Sequence, residues 1–234
     1  MKTLGVIGGV GPESTIEYYR LIIAAYQERT RDGSYPPVVI NSIDLKRMID
    51  WITAGELAKI AEYLLAELQR LARAGADLGL LSSNTPHVVF DEVSARSPIP
   101  LVSIVEATCA EAKALGLKKL GLFGTRFTMR GRFYPEVFTR EGVELVTPDE
   151  EGQAFIHDKY MNELLNGVFL PETRERLTEI AGRMRERDRI EGLILGGTEL
   201  PLILRGEQAA GVPLLDTGRI HVKAAVERML SDGA

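Results

Sequence analysis

The sequence predicts an α/β fold of two related halves, each a mainly parallel sheet flanked by helices. Short runs rich in Val, Ile and Leu alternate with amphipathic stretches along the chain, as in parallel sheets whose strands are joined by helical crossovers. The apolar runs show no polar alternation, which indicates strands buried on both faces. A repeat of motifs at nearly constant spacing predicts that there are two such halves.

Eight apolar runs are predicted strands, each bounded by glycine, proline or polar residues. They are Thr3–Gly8, Pro37–Ser42, Leu78–Ser82, Leu101–Ile104, Leu120–Phe123, Val143–Thr147, Leu193–Leu195 and Pro213–Asp216. A helix with an apolar face is predicted before the third strand, and Gly75 marks its end. The residues of that face are Leu57, Ile60, Tyr63, Leu64, Leu68 and Leu71. Ile220–Leu230 also has helical spacing, and we expect it to pack on the first half.

The repeat appears at the start of each half. Leu4–Gly8 is matched by Leu120–Gly124 at an offset of 116 residues, and Tyr18 falls on Tyr134 at the same offset. From these matches we expect two homologous domains. Residues 1–98 with 215–234 form the first, and residues 99–214 form the second.

Composition excludes several classes of protein. The 234 residues are 45% hydrophobic and 26% charged, which excludes disorder and a small disulfide scaffold. The net charge of -5 and a pI of about 5.4 disfavour a nucleic-acid partner. A single cysteine, Cys109, and three scattered histidines predict no metal site. With neither a signal-peptide pattern nor an apolar run of about 20 residues, we expect a cytoplasmic protein without a membrane partner.

Four strand-to-helix turns are the candidate ligand site. They are Gly8–Thr15, Ser83–His87, Gly124–Thr128 and Gly197–Glu199. In parallel α/β sheets a ligand lies beyond the carboxyl ends of the strands, and we expect these turns to face a cleft between the halves. Hydroxyl and backbone N–H groups at helix starts bind anions, so the sequence predicts a small carboxylate ligand. The predicted contacts are Gly9, Asn84, Thr85, Thr125, Thr128, Thr198 and Glu199.

Other interpretations of these turns stay open. The glycines after the first strand lack the third glycine of a dinucleotide fingerprint, because Ser14 stands there, so a tight turn is favoured and no cofactor is expected. Ser83 or Asn84 can serve as a helix cap. His87, four residues after Ser83, is a candidate catalytic residue, but no acid is placed to complete a serine-hydrolase triad.

Several segments together resemble one known family. They are GVIGGVGPEST at residues 5–15, Tyr18-Tyr19, SNTPH at 83–87, GLFGTRFTM at 121–129, Phe133-Tyr134, YMNELLNG at 160–167 and LGGTE at 195–199. With these motifs the chain resembles the aspartate/glutamate racemases, which act without pyridoxal phosphate. The resemblance implies two pseudo-symmetric α/β domains, an amino-acid or dicarboxylate substrate and no cofactor. For such a domain pair we also expect a homodimer.

The resemblance also implies two catalytic cysteines, one on each face of the substrate α-carbon. One thiolate removes the α-proton, and the other thiol returns a proton from the far side. The corresponding positions here are Ser83 and Gly197. An alcohol is a far weaker acid than a thiol, and glycine has no side chain, so ordinary thiol-based racemisation is not expected.

Three hypotheses follow. The first is a racemase-family isomerase acting on aspartate, glutamate or a related amino acid. The second is a non-catalytic protein that binds a small carboxylate. The third is a lyase or decarboxylase of the same fold, using Ser83 with His87 or water.

Overall fold

The computed structural model describes residues 1–231 of the chain. Contacts divide it into two compact units. Unit 1 is Met1–Ile104 together with the segment from Gly218 onward, and unit 2 is Val105–Thr217. The prediction divides the chain after residues 98 and 214, and the units divide it after Ile104 and Thr217, at most six residues away. That the two units are separate domains stays a prediction.

Unit 1 is built on a four-stranded parallel sheet in the order β2-β1-β3-β4. Its strands are β1 (Leu4–Gly8), β2 (Val38–Ser42), β3 (Leu78–Leu81) and β4 (Leu101–Val102). Every residue of β1 and β3 is buried, as expected for central strands covered on both faces.

The helices of unit 1 follow the strands as crossovers. They are α1 (Pro12–Thr30), α2 (Leu45–Thr53), α3 (Leu57–Arg73) and α4 (Phe90–Arg96), and α11 (Thr217–Leu230) begins at the boundary. Pro12 begins α1, a position where its missing N–H costs nothing. The Asp44 carboxylate caps α2 by accepting the Lys46 N–H at 2.9 Å.

The core of unit 1 includes the C-terminal helix. Val222, Val226 and Met229 of α11 pack with Leu4 and Tyr18 in one buried cluster. The predicted packing of the last helix on the first half is therefore what the structure has.

Unit 2 contains a five-stranded sheet in the order β6-β5-β7-β9-β8. Its strands are β5 (Lys119–Gly124), β6 (Glu144–Val146), β7 (Gly192–Gly196), β8 (Gln208–Ala209) and β9 (Val212–Asp216). The first three and β9 pair in parallel, whereas β8 pairs with β9 antiparallel.

The helices of unit 2 enclose a second core that contains Phe123, Ile156, Tyr160, Leu177 and Leu195. They are α5 (Ile104–Ala114), which begins at the boundary, α6 (Arg126–Arg130), α7 (Phe133–Arg140), α8 (Glu150–Asn162), α9 (Pro171–Asp188) and α10 (Leu200–Ile203).

The two sheets confirm the predicted fold class and its duplication. The order β2-β1-β3-β4 corresponds to β6-β5-β7-β9, strand for strand. Tyr18 and Tyr134, matched by the repeat, are both fully buried. Hairpin strand β8 was not predicted, because two residues are too few to show a periodicity.

Two details of the prediction were wrong. Ile104 begins α5 instead of ending a strand, because β4 pairs through only two residues. Leu57 is 39% exposed, although it was predicted on the apolar face of α3, because it lies in the first turn of the helix, before the buried stripe begins. In the part of the chain that the structure describes, no helix combines the length and apolar character needed to cross a bilayer.

We predict that Leu68→Ala destabilises unit 1 much more than Leu57→Ala does. Leu68 is fully buried on the same helix, and truncating a buried leucine typically lowers the free energy of unfolding by about 2–5 kcal/mol. The exposed Leu57 should cost about 1 kcal/mol or less. Denaturant unfolding of both variants measures the difference, and equal losses would contradict the burial of α3 described above.

Candidate active site

The turn after β1 is tight and is closed by its own hydrogen bonds. Gly9 has a positive φ of 77°, and a Cβ there would lie 2.4 Å from the Ile43 carbonyl oxygen, so only glycine fits. The Gly9 N–H donates to Thr15 Oγ1 at 2.8 Å, and that hydroxyl donates to the Gly11 carbonyl at 3.0 Å. A tight turn therefore accounts for the glycines, and ligand contact by Gly9 stays a prediction.

The turns after β1 and β3 are tied together by buried serine hydroxyls. Ser14 Oγ donates to the Ser82 carbonyl, and Ser82 Oγ donates to the Ile7 carbonyl, each at 2.9 Å. Both serines are fully buried. This pair of bonds holds Ser83, the next residue, beside the start of α1.

Ser83, Asn84 and Thr85 form the turn itself. Ser83 and Asn84 are buried and Thr85 is partly buried, and a 3₁₀ helix over Thr85–Val89 follows. The Asn84 side chain makes no capping bond to this helix, so the interpretation of Asn84 as a simple helix cap was wrong.

His87 is held by backbone groups on both ring nitrogens. Nε2 accepts the Ile104 N–H at 3.2 Å, so Nδ1 carries the proton and donates to the Ser83 carbonyl at 3.0 Å. The ring is buried and stacks on Phe90, with centroids 4.8 Å apart. In this arrangement His87 positions the Ser83 turn, whereas proton transfer by His87 would require one of these bonds to break.

A second histidine lies beside the first. His221 Nε2 donates to the Val102 carbonyl at 2.9 Å, and Nδ1 accepts from the Tyr18 hydroxyl at 3.0 Å. Burial, followed by the neighbouring His221, lowers the pKa of His87 to about 3. Burial lowers the pKa of His221 to about 4. Both rings are therefore neutral at physiological pH.

Unit 1 also presents an arginine at the start of α2. The Arg47 guanidinium lies 4.5 Å from the ring centroid of Trp51 and 4.9 Å from that of Tyr63. Stacking on two rings restricts the long side chain before any ligand arrives. These contacts hold the guanidinium against one ring of α2 and one ring of α3.

In unit 2, two threonines form the turn after β5. Thr125 caps α6 by accepting the Thr128 N–H at 3.3 Å, and the two hydroxyls are also 3.3 Å apart. Both residues are buried. Capping of α6 therefore accounts for Thr125, and a carboxylate contact by either hydroxyl stays a prediction.

The turn after β7 places a carboxylate inside the protein. Glu199 is fully buried and its Oε2 accepts from the Thr198 hydroxyl at 3.1 Å and from the Tyr160 hydroxyl on α8. Burial raises the pKa of Tyr160 well above its usual range, and the nearby Glu199 charge raises it further. Tyr160 therefore stays protonated and donates to Glu199.

Tyr160 was missed as a site residue by sequence reasoning. Tyr160 and Glu199 are 39 residues apart in sequence, and no local pattern links them. Tyr18 and His221 were missed for the same reason. Two signals were available: the YMNELLNG segment, which begins at Tyr160, and Gly197, which offers a neighbour the space of a side chain. Among residues 1–231, no group of three or more His, Cys, Asp or Glu is arranged to hold a metal ion.

Comparison with known proteins points to one family of racemases. The model of the family described as Asp/Glu/Hydantoin racemase matches residues 7–225. The broad specificity amino-acid racemase RacX of Bacillus subtilis is 25% identical over 234 residues, which cover 97% of this chain and 98% of that protein.

Two solved structures share the whole fold. A proposed Asp/Glu racemase from Yersinia pestis is 32% identical with a TM-score of 0.89, covering 99% of this chain and all of that one. An aspartate racemase homologue from Pyrococcus horikoshii OT3 is 34% identical with a TM-score of 0.85 at the same coverage.

We predict that acidification destabilises the protein through its two buried histidines. In the unfolded chain histidine binds a proton near pH 6.5, whereas the folded pKa values are about 4 and about 3. The unfolded state therefore binds more protons as the pH falls from about 6.5 towards 4, and the free energy of unfolding decreases over that window. The limit is about 1.4 kcal/mol per pH unit for each histidine.

The matched variants are His87→Gln and His157→Gln. Glutamine can accept from Ile104 and donate to Ser83 without titrating, so His87→Gln should flatten the dependence of melting temperature on pH between 7 and 5. His157 is only half-buried, so its replacement should change the slope less. An unchanged slope in His87→Gln would refute the neutral buried state of this ring.

Proposed function

Since the chain belongs to the Asp/Glu/hydantoin racemase family, we propose that it is a cofactor-independent isomerase of aspartate, glutamate or a related amino acid. The family match and its racemase relatives support an amino-acid racemase. We further propose that its proton transfer does not use thiols, because Ser83 and Gly197 stand where the family motif has cysteines and the one cysteine, Cys109, is buried in α5.

One observation carries this proposal. The corresponding central strands β3 and β7 each end in a turn of buried polar residues, Ser83 with Asn84 in unit 1 and Thr198 with Glu199 in unit 2. Their place beyond the carboxyl ends of parallel strands is where α/β proteins bind ligands. That one ligand meets both turns stays a prediction, as do the homodimer and the cytoplasmic location.

A non-catalytic binder is the second candidate. It is favoured by the contacts of His87, whose two nitrogens are both bound to backbone groups. A general base must be within hydrogen-bond reach of the proton that it removes. Both nitrogens of His87 are already bonded to the backbone of Ser83 and Ile104.

Exchange of the α-hydrogen separates the two candidates. The protein is incubated with L-aspartate or L-glutamate in D2O, and the α-proton signal is followed by NMR while chiral chromatography measures inversion. We expect slow exchange accompanied by inversion, since each lost acid–base group typically costs about 10²–10⁴ in rate.

Binding is measured in parallel by ligand-dependent thermal stabilisation. Stabilisation by either amino acid without any exchange would favour the binder and contradict the isomerase. Exchange without inversion would show proton transfer on one face only. If the protein neither binds aspartate or glutamate nor exchanges their α-hydrogen, the proposed substrate class is wrong.

We predict that Arg47 selects for a second carboxylate on the ligand. The stacked guanidinium is pre-arranged as a bidentate partner for a carboxylate. Arg47→Met should weaken the binding of aspartate and glutamate by about tenfold or more and leave the binding of alanine nearly unchanged. Arg70→Met is the control, since Arg70 is already paired with Glu67 at 2.8 Å. An equal effect on alanine would assign Arg47 a structural role instead.

A further inference from the structure

The space beside residue 197 is already filled by another side chain. A Cβ built on Gly197 would lie 2.3 Å from Tyr160 Cε2 and 3.0 Å from both Cζ and the hydroxyl oxygen. Real Cβ atoms essentially never lie closer than 3.0 Å to a non-bonded heavy atom. The φ of Gly197 is not in the left-handed region, so the constraint comes from the ring and not from the backbone.

Tyr160 cannot easily move aside. The side chain is 4% exposed and belongs to the buried cluster of unit 2, in which Leu164 and Leu195 also lie. At its far end the hydroxyl donates to Glu199, whose carboxylate also accepts from Thr198. Close packing around the ring and a hydrogen bond at its tip therefore hold Tyr160 in one position.

The tyrosine is a poor replacement for a thiol in proton transfer. The Tyr160 hydroxyl donates its proton in a hydrogen bond to Glu199. Loss of that proton would place a phenolate directly beside a buried carboxylate. Two adjacent buried negative charges are strongly disfavoured. The hydroxyl therefore acts as a fixed hydrogen-bond donor.

We propose that Tyr160 determines the chemistry of the unit 2 turn, because its ring takes the volume that a side chain at residue 197 would need and excludes a proton-transferring group there. Tyr160 and Gly197 are then a complementary pair, and a thiol at position 197 can work only when both residues change. This inference rests on the proposed function, since it concerns the reaction of the same site.

The steric half of the proposal is tested by stability alone. Gly197→Ala should lower the melting temperature by more than about 5 °C, and the loss should largely disappear when the same change is made in a Tyr160→Leu background. In a Tyr160→Phe background, which keeps the ring, the loss should persist. Gly182→Ala is the matched control, because a Cβ at Gly182 on α9 meets only Ala210, at an ordinary 3.7 Å.

The functional half is tested by installing both thiols. Ser83→Cys with Gly197→Cys is compared with the same pair carrying Tyr160→Leu, using deuterium exchange and inversion of aspartate and glutamate. We expect the triple variant to invert at least ten times faster than the double variant. Circular dichroism and melting curves establish that both are folded.

The outcomes separate this inference from the proposed function. If Gly197→Ala is tolerated as well as Gly182→Ala, or if the double variant inverts as fast as the triple, the inference is wrong. A folded triple variant that binds aspartate or glutamate without faster inversion also overturns it. If no variant binds either amino acid, the proposed function fails, while the melting temperatures still decide whether Tyr160 and Gly197 are a steric pair.

Discussion

Parallel pairing of the central strands is the constraint on which the candidate site residues of both units depend. In unit 1, β1 lies between β2 and β3, and in unit 2, β5 lies between β6 and β7. Parallel neighbours end at the same edge of a sheet, so the turns after β1 and β3, and those after β5 and β7, are brought together although each pair is about 70 residues apart in sequence. The hydroxyl bonds from Ser14 to Ser82 and from Ser82 to Ile7 then hold the two turns of unit 1 in register.

Buried polar groups in both units are satisfied mostly by partners within the same unit. His87 and His221 bond to backbone groups and to Tyr18, and Glu199 accepts from Tyr160 and Thr198. Such bonds stabilise the turns because an unmade bond at a buried group is costly. They also remove these groups from proton transfer, since an atom that is already bonded must give up its partner before it can react. A turn that is well ordered in this way is suited to binding, and its chemistry depends on whichever groups remain uncommitted.

The resemblance places Ser83 and Gly197 at the positions of two catalytic cysteines. A racemase needs a proton-transferring group on each side of the α-carbon, and the resemblance implies a thiol for each in the family. Here one position offers a serine hydroxyl and the other offers no side chain, with Tyr160 packed where that side chain would lie. A side chain at position 197 would therefore meet the Tyr160 ring, because the surrounding core is packed against the glycine.

Much of the architecture is determined by the sequence itself. Unbroken Val, Ile and Leu runs identified the eight main strands to within about two residues, because burial on both faces leaves a dense apolar signal, and the match of Leu4–Gly8 to Leu120–Gly124 revealed the duplication. Local chemistry likewise marked the turns with Ser83, Asn84, Thr125 and Thr198. Only the tertiary structure decided what those residues can do. The bond of His87 to Ile104, and the packing of Tyr160 against Gly197, join residues with no local relation in sequence. Hydrogen bonding and steric exclusion act over a few ångströms in space, so they become readable only once the chain has folded.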